Sequence, residues 1–557
     1  MGKFSRKTIL LLLLTLILIA VALRYPLVQH ERYQTDSYFI HYLAKSIGDE
    51  GFARWTFHPL SYFGYYPLSY PSGMPVVLAE LSELTGLSVE LSMLVADMML
   101  AGLFAMVVFC LAREFLERPE YALLAAFFAS VGPRFVDTTY WVGSARGPVI
   151  VLITLLVLLA LRSSSTRQNR LLVLAGLICF GCVSVHHMAV LIVLYGVGFV
   201  LAVMGQRYVR TMKGTKIRRL AVSSFLGAIT LVVLSVLSYF WVLAVSISRT
   251  FGGQGFLSTE SALLSTLLNI GVSYTHQIGF VLLLSIAGLF IIVRRPVFTV
   301  RALFPISVIL VSVPVLGSAL YVSMLLAPLV AILGLVYVRE ALRNGRRKKL
   351  VLTIMGMLVV VSLVFPVWSS ERWNGFELSP GATVEVHNQI FNDATYLRVS
   401  AYQRYAISNG NVVTAQLLAF TDLYLLNSEY TLMVSGEITA SKLRGNVTPS
   451  GMSFPLNIYL WFDYKGEYNV GDILTGTMNG GSAFLNGHGG LSIKANEWFS
   501  SYPKIFVVVD NNVQSSAVFL TEIRNAQTSD GRNAFLPSYM VYQSELITTY
   551  VINMPTR

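Results

Sequence analysis

Residues 8–23 read TILLLLLTLILIAVAL, an uncharged run of Leu, Ile, Val and Ala, and this stretch decides the fold class. At about 1.5 Å of rise per helical residue it is long enough to enter and nearly cross the hydrocarbon of a bilayer. Working outward, similar runs recur near 89–112, 120–133, 147–161, 170–185, 188–205, 220–246, 277–293, 300–316, 319–338 and 350–368. Apolar residues make up 55% of the chain and charged ones 13%. The expected architecture is a polytopic α-helical membrane protein of about 11 transmembrane helices.

Short loops rich in Lys and Arg stay cytoplasmic, so the basic blocks Arg207 to Arg219 and Arg343 to Lys349 orient the chain with its N-terminus inside. Only Glu114, Glu117, Glu120 and Glu340 oppose them on that face. The net charge of +12 is therefore a record of topology, and no basic face is left for a nucleic acid. An alternative for the first run is a cleaved signal peptide, since Lys3, Arg6 and Lys7 precede it and Ala20, Val21 and Ala22 close it. Cys110, Cys179 and Cys182 all fall within apolar runs, where they read as small packing residues.

Composition changes near Trp368, dividing a membrane domain at 1–368 from a soluble extracytoplasmic domain at 369–557. This second part reads as mixed α/β or α+β. Ala394 to Ile407 is patterned as an amphipathic helix, Asn411 to Gln416 and Phe454 to Tyr464 as strands, Gly471 to Gly490 as hairpins or loops, and Ile505 to Asp510 as a strand before a helix near Thr521. Asn446, Val447 and Thr448 form an N-glycosylation triplet on that side.

Between the first two runs lies a loop at 25–88, longer than a turn needs. Thr35 or Asp36 caps an expected interfacial helix whose Phe39, Ile40, Leu43 and Ile47 make a lipid-facing side. Trp55, Phe57, His58, Tyr62, Phe63, Tyr65, Tyr66 and Tyr70 follow, as do Pro71 and an amphipathic run from Met74 to Leu87. Aromatics with polar tips settle at headgroup level, and such rings also stack on sugars. Elsewhere, Asp97 sits inside the second run and needs a partner or a wet cavity. His186, His187 and His276 stand where runs meet the outside.

The order TDSYFIHYLAKSI (35–47), then YYPLSYPSGMPVVLAELSELTGLS (65–88), then a span resembles the opening of polytopic glycosyltransferases of the GT-C class. Those enzymes carry an acid in the first outer loop, use sugars on polyprenyl phosphate or diphosphate, and often end in a soluble outer domain. The resemblance implies an inverting transfer in the cell envelope, to a glycan, lipid or protein acceptor. Asp36 is then the catalytic base, with Tyr38, His41 and Tyr66 beside the substrate. In RFVDTTYWVGSARG (134–147), Arg134 and Arg146 bind donor phosphate, and Asp137 is a substrate-binding second acid, a metal ligand or a local partner for Arg134. His187 joins the phosphate site. No cofactor is implied with force, and a divalent metal lacks a spacing-defined cluster of acids.

This sequence departs from the class in one place: LGSALYVSMLLAPLVAILG (316–334) carries Tyr321 and no basic residue where several GT-C enzymes have a late-span Arg. WFDYKG (461–466) matches only loosely an oligosaccharyltransferase motif. Two rival readings stand beside transfer: a catalytically degenerate relative kept as scaffold or assembly subunit, and a transporter using Asp97, His186 and His187.

Overall fold

The computed structural model describes residues 5–26, 30–31, 35–51, 55–57, 65–66, 71–116, 118–166, 168–211, 217, 278–279, 281–294, 300–312, 316–341, 353, 356–364, 389, 391–397, 405–408, 416–417, 419–421, 424–425, 432–433, 504–511, 536–544 and 547–553. The expected span at 220–246, His276, the Asn446 triplet, the strand from Phe454, the Gly-rich stretch at 471–490 and the helix near Thr521 lie outside these residues. The chain divides into two compact units, 1–27 with 94–374 and 28–93 with 375–557. Residues 28–93, read from sequence as part of the membrane domain, thus group with the C-terminal portion.

In the first unit the apolar runs are helices where they are described. Helix α1 (Arg6–Ala22) begins at Ser5, whose Oγ accepts the Thr8 N–H at 3.1 Å. α4 (Val89–Phe115) begins in the second unit and runs on into this one. Then come α5 (Pro119–Ser130), α6 (Pro133–Asp137), α7 (Arg146–Thr166), α8 (Asn169–Val185), a 3-10 turn (His187–Val190) and α9 (Leu191–Thr211). α10 (Val281–Arg294), α11 (Val300–Ser312) and α12 (Leu316–Ala341) follow. Among the described residues three segments are long and apolar enough to cross a membrane: Val89–Phe115, Arg146–Ser163 and His187–Val209. The run expected at 120–133 is broken after Ser130, because Gly132 and the ring of Pro133 interrupt the helix and start α6.

Ala101, Phe104 and Ala105 of α4 and Ala122, Ala125 and Ala126 of α5 are buried in one apolar core, and the Phe104 and Phe135 rings meet at 4.0 Å. Small residues also let two later helices close on one another. α10 and α12 touch backbone to backbone at Gly288 and Gly334, where a Cβ on Gly334 would run into Gly288 and one on Gly288 into the Val330 carbonyl.

The second unit packs α2 (Thr35–Glu50) on α3 (Gly73–Thr85), which ends at Gly86 in the left-handed region (φ 69°). Phe39, Ile40 and Leu43 face the interior of this unit and not lipid, which corrects the expected interfacial side. The reason is that α3 and the C-terminal portion offer the α2 stripe a protein surface to bury against.

A small sheet orders β2 (Tyr65–Tyr66), β1 (Trp55–Phe57) and β5 (Leu432–Met433), all antiparallel. A larger one runs β4 (Tyr424–Leu425), β3 (Tyr405–Ser408), β6 (Lys504–Asp510), β8 (Ile547–Asn553) and β7 (Leu536–Gln543). β3 is parallel to β4 and β6, and the pairs β6–β8 and β8–β7 are antiparallel. Of the expected helix over 394–407, the described residues 394–397 are helical and Tyr405–Ile407 belong to the strand Tyr405–Ser408, since pairing with Phe506, Val507 and Val508 overrides the helical pattern there. Gln416, expected in a strand, is helical.

Candidate functional site

In the first unit the segment 130–147 gathers most of the expected phosphate-binding groups. Pro133 at the first position of α6 sets its backbone, and Arg134 projects from that turn. The Arg134 Nη2 donates to the Tyr321 hydroxyl at 2.6 Å, and the guanidinium carbon lies 4.8 Å from the centre of that ring. Nη1 stands 3.6 Å from the Asp137 carboxylate. Arg134 and Asp137 are thus paired, and both remain partly open to solvent.

Arg146 starts α7, its N–H donating to the Ser144 hydroxyl at 3.3 Å. Its charge reaches the His186 ring. His186 is buried, with Nδ1 accepting the Met188 N–H at 2.9 Å, so the proton of its neutral ring is on Nε2. His187 is the exposed member of the pair, its ring 3.9 Å from that of His186. Extended backbone at His186 breaks the helix between α8 and the 3-10 turn, which lets two adjacent histidines stack instead of diverging by about 100°.

Behind this segment stand Arg24, which escaped the sequence reading, and Asp97, which was read without its partner. Arg24, two residues past the end of α1, is fully buried: Nε donates to Thr139 Oγ1 at 3.0 Å, and Nη1 to the carbonyls of Ala20 and Ser130 at 2.9 and 3.2 Å. Asp97 finds the partners its sequence did not name, since Oδ2 accepts the Val142 N–H at 2.9 Å and the Arg24 charge attracts it. The available signal was the matching of one deep acid by one basic residue at a span end. Between Thr139 and Val142, Trp141 is buried at φ 51°, a backbone region costly for an aromatic residue.

In the second unit Asp36 lies in the first turn of α2, where the helix dipole favours a carboxylate. Its side chain is outside the described ones, as is that of Tyr66 in β2. Tyr38 and His41, expected beside the substrate, are turned inward. The Tyr38 hydroxyl accepts Gln416 Nε2 at 3.0 Å, and the Phe420 ring lies 5.9 Å from Tyr38 and 5.4 Å from His41. Burial of apolar ring area against Phe420 is the reason.

Glu31 was missed as well. Its carboxyl is buried, accepts the Ser37 hydroxyl at 3.1 Å and lies 2.7 Å from His41 Nδ1. Burial raises its pKa, and the charge and hydrogen bond of His41 pull the other way. The Glu31 N–H donates to Glu90 Oε1 at 2.9 Å, and His30 Nδ1 is 3.2 Å from the same oxygen. These bonds fix the start of α2, and with it Asp36. Among the described residues no three or more His, Cys, Asp or Glu converge as metal ligands would.

No protein-family model and no curated protein matches the sequence. Solved structures do match in shape. The Archaeoglobus fulgidus oligosaccharyltransferase tethered to an acceptor peptide aligns at 12% identity over 98% of this chain and 74% of its own, with a TM-score of 0.55. The same organism's enzyme AglB, in complex with an inhibitory peptide and a dolichol-phosphate, aligns at 11% over 99% and 74%, TM-score 0.52. ArnT from Cupriavidus metallidurans aligns at 12% over 97% of each chain, TM-score 0.51. With its apolar helices and these neighbours, the chain has the fold of the GT-C class of polytopic membrane glycosyltransferases.

Proposed function

We propose that this protein is an integral membrane glycosyltransferase that moves a sugar from a polyprenyl-phosphate-linked donor to an acceptor on the extracytoplasmic side. In this reading the chain crosses the bilayer about eleven times, with its N-terminus cytoplasmic and its C-terminal domain outside. The acceptor oxygen or nitrogen attacks the anomeric carbon as the bond from that carbon to the phosphate oxygen breaks. Asp36 takes the acceptor's proton and cations hold the departing lipid phosphate; because the acceptor attacks the face opposite that phosphate, configuration inverts. Arg134 and Arg146 supply forked donors, and His187 adds a further one. Asp137 orients Arg134, and Tyr66 offers a ring to the sugar. Tyr38 and His41 act by holding α2.

The observation that carries this reading is the Arg134–Tyr321 contact. The late span carries no basic residue over 316–334, and Arg134 brings a guanidinium to that stretch at Tyr321. Similarity to an enzyme bound to dolichol-phosphate supports the donor class. The test is lipid extraction from the purified protein with mass spectrometry, followed by a transfer assay using the recovered lipid. A polyprenyl phosphate sugar that is turned over supports the enzyme. A bound lipid that is never turned over supports the scaffold reading, which draws its own strength from Tyr321 standing where an Arg is expected.

A further inference from the structure

Trp141 needs an explanation that its own sequence does not give. An aromatic residue at φ 51° reverts to a commoner conformation unless its neighbours are held. Both sides are held here, one by Arg24 just past the end of α1 and the other by Asp97 within α4. Before it, Thr139 Oγ1 takes a hydrogen bond from Arg24 Nε and gives one to the Phe135 carbonyl at 2.6 Å. After it, the Val142 N–H is bound by Asp97 Oδ2, and Ser144 N–H donates to the Val142 carbonyl at 2.6 Å. The far end of the segment is held by shape: a Cβ on Gly147 would lie 2.8 Å from Thr139 Cγ2, so only Gly lets α7 start this close.

Arg24 Nη2 and Asp97 Oδ1 are both buried without a hydrogen-bond partner. Ionisable groups at such depth are costly, and simple packing would be served better by apolar residues. Asp97 spends its carboxyl on one backbone N–H, the one that follows the strained residue.

We propose that Arg24 and Asp97 form a latch that fixes residues 138–146 in their strained shape, and so sets the spacing of Arg134 and Arg146 on either side. They are positioning residues and not catalytic ones. The link to phosphate rests on the reading given under Proposed function, whereas the latch itself does not.

The experiment is hydrogen–deuterium exchange of the full-length protein in nanodiscs, with farnesyl phosphate as the binding probe. In Asp97→Ala the amides of 139–143 should exchange on the order of tenfold faster while α1 and α4 stay protected, because one buried hydrogen bond is lost. Asp97→Asn, whose amide oxygen accepts the same N–H, should keep most of that protection. Arg24→Lys, which loses the Nε donor, should loosen 138–140 and carries the test if Asp97→Ala does not fold. Unchanged exchange in 138–143, or an equal rise along α1 and α4, overturns the latch. Faster exchange with weaker farnesyl phosphate binding upholds both readings. Faster exchange with unchanged binding upholds the latch and counts against the donor-phosphate assignment. Unchanged exchange with weaker binding overturns the latch alone.

Discussion

His41 Nδ1 lies 2.7 Å from Glu31 Oε1, and the Glu31 side chain has no exposed surface. Removing His41 takes its nearest partner from a buried carboxyl that keeps the Ser37 hydroxyl, so His41→Ala should destabilise the fold by ~1–3 kcal/mol. Glu31→Gln added to His41→Ala should recover part of that loss, because the neutral amide is cheaper to bury. Thermal unfolding of the single and double variants measures the coupling; strict additivity would mean the two side chains do not act together.

That pair also marks where sequence reading stops. The helices were legible because Leu, Ile, Val and Ala in runs such as 89–112 and 170–185 leave few other solutions in a bilayer, and α4 and α8 begin and end close to those limits. Lys504–Asp510 was legible as a strand for its β-branched run. The inward turn of Tyr38 and His41 was not. An amphipathic stripe is the same whether lipid or protein covers it, and Phe420 lies far along the chain. Tyr321 was read as a departure from the class because its partner is 187 residues away. No local pattern reports a contact at that distance.

Arg134 makes a hydrogen bond and a cation–π contact with the same ring. Tyr321→Phe keeps the ring and loses the hydroxyl, so it should weaken donor use by about 10-fold, in line with ~1.5 kcal/mol for a bond to a charged group. Arg134→Lys loses the fork as well and should cost more, about 100-fold. The loss should fall on donor KM before kcat, as steady-state transfer kinetics would show. Equal effects of the two substitutions would remove Arg134 from the phosphate site.

Gly288 and Gly334 permit α10 and α12 to touch. Gly334→Ala places a methyl group where Gly288 stands and should lower stability by ~1–3 kcal/mol as the helices separate. Gly356→Ala, which meets nothing within 4 Å, is the matched control and should be neutral. Melting temperature in detergent distinguishes them.

Asp393 is buried, its carboxylate accepting the Thr549 hydroxyl at 2.9 and 3.0 Å. Burial pushes its pKa up to about 7, against the partial relief that Thr549 gives. A group whose pKa is raised on folding stabilises fully below its unfolded value of about 4, and the contribution is lost as pH climbs through the folded value. Stability should therefore fall by ~4 kcal/mol between about pH 4 and pH 7 on account of this residue alone. Asp393→Asn keeps the Thr549 bond and should flatten that part of the profile, raising stability near pH 8. Unfolding followed by fluorescence across this range would show it, and an unchanged slope would mean that Asp393 is not the titrating group.

Asp36 lies in the first turn of α2, a helix whose Ser37 and His41 are tied to Glu31. A helix cap and a general base respond differently to the same substitution. Asparagine caps a helix as well as aspartate does, so Asp36→Asn should leave stability within about 0.5 kcal/mol and donor binding intact. It cannot take up a proton, so transfer should fall by about 100- to 10,000-fold in kcat. Rescue is expected to follow chemistry: Asp36→Glu should return part of the rate, and Asp36→Ser, a good cap with no base, should return none. Unimpaired transfer by Asp36→Asn would reduce Asp36 to a cap and return the search for a base to the acids of the same unit.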